Sequence, residues 1–71
     1  MRLDELLKAI RSELGISQEV FAHEVHVSFT TMNRWENGRT KPSHLALVSI
    51  RDYCKEKGIS GELMSELAKI K

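Results

Sequence analysis

Apolar residues recur along this chain at steps of three and four. Leu3, Leu6, Leu7, Ile10 and Leu14 form the first such stripe, the pattern of a helix with one buried face. Gly15 ends it, because glycine tolerates the left-handed conformation just beyond a helix, and Ile16 is placed to fold back onto Ile10 or Arg11. Ser17 opens a short second helix as its N-cap, with Val20, Phe21 and Val25 as the apolar face and an end near His26. Ser28 starts a third helix in the same manner, anchored inward by Met32 and Trp35 and closed by Asn37-Gly38. Past the polar loop Arg39-Thr40-Lys41-Pro42, Ser43 caps a longer fourth helix with apolar positions Leu45, Leu47, Val48, Ile50, Tyr53 and Cys54, ended by Gly58. Ser60 caps a last helix over about 60–70, carrying Leu63, Met64, Leu67 and Ile70. No period-two run of β-branched residues occurs, so the pattern predicts an all-α domain of five helices over residues 1–71.

Size and composition narrow what such a domain does. Seventy-one residues hold one core, which stabilises by about 3–5 kcal/mol and leaves little room for an elaborate enzyme pocket. No segment approaches the roughly 18 apolar residues of a membrane span, and Met1-Arg2-Leu3-Asp4 begins no secretory signal. Cys54 stands alone, which excludes an internal disulfide or a cysteine-based zinc site and fits a cytoplasmic protein. No catalytic group, metal or cofactor is implied.

Charge is placed rather than abundant. A formal net charge of +1 gives no global basic field. Residues 1–41 hold six basic groups (Arg2, Lys8, Arg11, Arg34, Arg39, Lys41) and six acidic ones, yet within 28–41 three cations face only Glu36. That local +2 falls on and just after the third helix.

The two short helices within 17–36 are the informative part. A second helix presented steeply by a first is narrow enough to enter the major groove, and helix N-termini offer backbone N–H groups to phosphates. With Met32 and Trp35 inward, the third helix turns Phe29, Thr30, Asn33 and Arg34 outward, all within two turns of its start. Arg and Asn can bond guanine and adenine bidentately, and Thr or Phe can pack on a thymine methyl.

The run from Leu7 to Lys57 resembles the helix-turn-helix family of phage repressors, Cro proteins and xenobiotic-response-element-type bacterial regulators. Arg11, Leu14-Gly15-Ile16-Ser17-Gln18-Glu19, Phe21-Ala22, Val27-Ser28, Trp35-Glu36-Asn37-Gly38 and Lys41-Pro42-Ser43 carry the likeness, in one uninterrupted register. The resemblance implies a lambda-repressor-like five-helix fold and a transcriptional regulator, a repressor that binds a palindromic DNA operator as a homodimer. It implies that Gln18 bonds a phosphate and buttresses the third helix, with Ser17 beside it, and that Ser28 caps that helix and reaches the backbone. Phe29, Thr30 and Arg34 occupy base-reading positions, Asn33 follows, and Arg39, Thr40 and Lys41 hold phosphates. Arg11 and Glu36 correspond to a partly buried structural ion pair. Many relatives carry a polar or basic residue at the position of Phe29, so this side chain either covers a thymine methyl or packs against the turn.

Other features have plainer readings. His23 and His26, three apart, could ligate a metal, but no third ligand is suggested nearby and surface histidines explain them. Trp35 is core rather than a stacking platform for single strands, and Cys54 is a buried thiol. Lys55, Glu56 and Lys57 are a solvated helix end. The apolar stripe of the last helix either closes the core or meets a second copy in dimerisation. A rival role is that of an antitoxin-type interaction module, which neutralises a toxin-like protein partner and autoregulates its own promoter.

Overall fold

Four serines and two glycines set most helix limits in the computed structural model, which describes residues 1–70. The chain forms α1 (Leu3–Leu14), α2 (Gln18–Glu24), α3 (Phe29–Glu36), α4 (His44–Lys57) and α5 (Gly61–Ala68), with no strand among the described residues. Ser17, Ser28, Ser43 and Ser60 each accept a hydrogen bond from the N–H three residues on, at 3.0–3.3 Å. Each hydroxyl thereby satisfies a donor the helix itself cannot pair. Gly15 and Gly58 stop α1 and α4 with left-handed backbone (φ of 66° and 69°), their N–H groups returning to carbonyls of the last turn.

The apolar stripes close into one core. Leu6, Leu7 and Ile10 of α1 meet Phe21, Ala22 and Val25 of the second segment and Met32 and Trp35 of α3. Ile50 and Cys54 of α4 join them, together with Ile59, Leu63 and Leu67. Helix α3 packs on both α1 and α2, while α5 is held by α1 and α4. The Glu13 carboxylate at the end of α1 accepts the Ser60 N–H at 2.6 Å, which fixes the start of α5. Burial pushes the Cys54 thiol up to about 11, so it stays neutral and packs as a small apolar group.

Three expectations are corrected. Val20, assigned to the buried face of α2, is 44% exposed, because α2 packs on α3 and turns Phe21 and Ala22 into the core instead. On α4, Leu45 is 80% exposed and Val48 is also exposed; the helix buries Leu47, Ile50 and Cys54 instead. Helix α2 stops at Glu24 rather than near His26, and α5 ends at Ala68, which leaves Ile70 beyond it.

The turn between α2 and α3 carries the one positive-φ residue among the described non-glycines, His26 at φ 64°. It lets the chain reverse sharply between Val25 and Ser28, with the Val27 N–H bonded to the Ala22 carbonyl at 3.0 Å. A side chain in this region costs roughly 1–2 kcal/mol relative to ordinary helical backbone, although histidine tolerates it better than most. Replacing His26 with glycine is therefore expected to raise stability by about 1 kcal/mol, and valine to lower it, as read from urea denaturation midpoints.

Candidate nucleic-acid interface

Helix α3 is eight residues long and buries one side only. Met32 and Trp35 are inside, and Glu36 is fully buried. Arg11 reaches Glu36 from α1 with two near-parallel bonds, Nε to Oε2 at 3.0 Å and Nη2 to Oε1 at 2.8 Å. This bidentate pair satisfies a carboxylate that would otherwise sit uncompensated in the core, and it pins the C-terminal end of α3 to α1.

The pairing also changes the charge balance that the sequence suggests. With Glu36 buried and neutralised by Arg11, the surface of segment 28–41 presents Arg34, Arg39 and Lys41 with no free carboxylate among them. All three are exposed, and none enters an ion pair among the described residues. The loop that carries two of them has a fixed path. The Arg39 N–H bonds the Arg34 carbonyl at 2.9 Å, Gly38 is left-handed at φ 72°, and Pro42 is buried. Gly38 also lies so close to α1 that a Cβ there would stand 3.1 Å from Asp4 Oδ2. Arg39, Thr40 and Lys41 thus follow the C-terminal end of α3 on a fixed path, with Thr40 and Lys41 on a groove beside Arg2 and Asp4.

At its other end α3 opens to solvent. Ser28 and Thr30 are exposed, and α3 has no acidic residue in its first turn, whereas α1, α2 and α5 each have at least one. The positive end of the helix dipole is left without a local counter-charge, which favours an external anion. The Ser28 hydroxyl is fully engaged: it accepts the Thr31 N–H at 3.0 Å and donates to Thr31 Oγ1 at 2.9 Å. Thr31, not singled out in the sequence, thereby fixes the cap.

Phe29 is 52% exposed and lies on the rim of a shallow groove with Val20, His23 and Val27. It leans toward α2 yet keeps about half its surface outward, so both alternatives for this ring remain available to it. Ser17, capping α2, is exposed, and Gln18 after it is half-buried.

Asn33 differs most from its expected place. It is half-buried, and both ends of its amide are held. Asn37 Nδ2 donates to Asn33 Oδ1 at 3.1 Å, and Asn33 Nδ2 donates to Gln18 Oε1 at 3.0 Å. This chain of amides ties the first residue of α2 to the middle and end of α3, and leaves Gln18 Nε2 as its unused donor among the described residues. Asn37, read from the sequence only as a helix end, also holds Asn33, and the spacing of four between them is the sequence signal for that contact.

A short helix about 10–12 Å across, open on its polar side and flanked by unpaired cations, suits a major groove about 12 Å wide. The fold and this face define a helix-turn-helix DNA-binding domain. Comparison with known families agrees: the helix-turn-helix family model HTH_3 matches residues 7–48. The chain belongs to this lambda repressor/Cro-like family and is a DNA-binding transcription regulator. Searches of the curated proteins and of the solved structures gave no match. No helix of the described residues is long and apolar enough to cross a membrane.

Proposed function

We propose that this protein is a sequence-specific repressor that binds a partly palindromic operator as a homodimer. The observation that carries the reading is the outward face of α3, where exposed Thr30, Phe29 and Arg34 lie between a helix N-terminus with no acidic residue in its first turn and the Arg39–Lys41 loop. In this reading Arg34 bonds a guanine edge, and Thr30 and Phe29 contact thymine methyls. Ser17, Gln18, Ser28, Arg39, Thr40 and Lys41 hold the phosphates on either side, Ser28 through its backbone because its hydroxyl is occupied. Asn33 acts as a positioning residue: its amide aims Gln18 and sets α3 against α2. Repression requires only occupancy of a promoter, which such a face supplies. One protomer reads few base pairs, so two-fold pairing with recognition helices about 34 Å apart doubles the site.

Replacing Asn33 with alanine is expected to weaken all duplexes by a similar factor, since it loosens Gln18 without removing a base contact. An Asn33 that reads a base would instead change preference at one position, visible in the ranking of single-base operator variants. The reading as a whole is tested by selecting binding sites from a random duplex pool and footprinting the winner. A symmetric motif protected over about one helical turn between half-site centres supports it. Absence of any enriched sequence overturns it, and retardation only in the presence of a co-purifying protein supports the antitoxin-type role instead.

A further inference from the structure

Four of the helices begin on a serine that caps them, whereas α1 begins on Arg2. Arginine has no acceptor for the N–H groups of the first turn, and its charge is unfavourable beside the positive end of a helix dipole. A cation here does nothing to start the helix. What Arg2 holds is Asp4: Nε donates to Oδ1 at 3.1 Å and Nη2 to Oδ2 at 2.5 Å. Its Nη1 has no partner among the described residues.

This pair closes on the turn that leaves α3. A Cβ on Gly38 would stand 3.1 Å from Asp4 Oδ2 and 3.6 Å from Arg2 Nη2, so bare glycine backbone permits the approach. Arg39, Thr40 and Lys41 come next in the chain, and Thr40 and Lys41 line one groove with Arg2 and Asp4. The two partners differ in access: the Asp4 side chain is 14% exposed and that of Arg2 is 75% exposed.

We propose that Arg2 is a further phosphate-holding residue, set by Asp4 beside the Arg39–Lys41 loop, so that the start of α1 and the loop grip one stretch of DNA backbone. The inference rests on the DNA-binding reading above and extends its site to a part of the chain that the reading leaves out. Asp4 is the positioning residue: by taking Nε and Nη2 it fixes the plane of the guanidinium. The remaining edge is left for a phosphate oxygen, which arginine meets with charge-assisted bonds. The hydrogen-bonded Arg2 also holds the Asp4 carboxyl below the usual carboxylate range, so Asp4 keeps its charge at neutral pH. A bare carboxylate beside the loop would repel phosphates, and Arg2 cancels it while offering a donor of its own. Net charge conceals the role, because Arg2 is balanced by the acidic residues that follow it.

The test uses the full chain with the selected operator and an unrelated duplex, by fluorescence anisotropy across a salt series. Arg2→Ala is expected to lower the slope of log affinity against log salt by about one on both duplexes, as for one lost phosphate contact. The wild-type advantage should grow about threefold as salt falls from roughly 200 to 50 mM. An exposed ion pair contributes little to folding, so urea midpoints should stay at the wild-type value. The double change Arg2→Ala with Asp4→Asn separates holding from mere cancellation, since it removes the pair without altering net charge. It should stay weaker than wild type, with the slope still lower by about one. Wild type that binds no duplex overturns the DNA-binding reading and this inference together. Operator binding by wild type with an unchanged slope in Arg2→Ala, or a double variant that regains wild-type affinity and slope, overturns the inference alone.

Discussion

Replacing Arg11 with methionine is expected to cost about 3–5 kcal/mol of folding stability, enough to unfold most of a domain whose core supplies about the same amount. The size of the effect comes from what is left behind. Glu36 is fully buried and all its cationic contacts are made by Arg11, so the variant strands a carboxylate in the core. Arg11 itself keeps partial access to solvent, so Glu36→Leu should cost less than Arg11→Met. The double variant Arg11→Met, Glu36→Leu should recover most of the loss, since replacing both partners with apolar groups is often neutral or better. Chemical denaturation of the four proteins in the cycle decides it. A single variant as stable as wild type would mean that the pair contributes nothing to the fold.

The second large effect concerns DNA. Arg34→Ala is expected to weaken operator binding by about 1–3 kcal/mol and to flatten the preference at one base position, with folding stability unchanged. Arg34 is exposed and makes no ion pair among the described residues, so its removal leaves nothing unsatisfied in the free protein. Lys41→Ala should behave differently. It should weaken all sequences by a similar factor and lower the slope of log affinity against log salt by about one, because a phosphate contact releases counterions whatever the base. Fluorescence anisotropy across a salt series separates the two. Equal behaviour of the two variants would show that the division between base-reading and phosphate-holding residues is misplaced.

Much of this architecture was legible in the sequence because it is written in local chemistry. Ser17, Ser28, Ser43 and Ser60 cap where the polar-to-apolar transitions place them, and Gly15 and Gly58 stop helices where the stripes end. Trp35 and Met32 are buried as their spacing requires. What periodicity cannot supply is the direction of a helix whose apolar residues span a wide arc. The apolar residues of α4 could bury several faces, and its packing on α5, together with Val25 near Ser49, selects the one that leaves Leu45 outside. Asn33 shows the same limit for polar groups. A polar residue on a helix looks solvent-facing until a partner fifteen positions away, Gln18, is brought within hydrogen-bonding reach. His26 carries a left-handed backbone with no glycine to announce it, and only the tightness of the turn required it. The Arg11–Glu36 pair was reachable through family resemblance alone, since twenty-five residues separate them and nothing local links them.

The central claim is that the outward side of α3 lies against double-stranded DNA. A two-dimensional 15N–1H NMR titration of the whole chain with its selected duplex, begun at low ionic strength, tests it directly. The account expects the largest amide shifts at residues 17–18, 28–34 and 38–41, while the interior of α1 and the amides of α5 stay nearly still. Shifts that cluster on α5 or the outer side of α1, with residues 28–34 unmoved by saturating duplex, would contradict it.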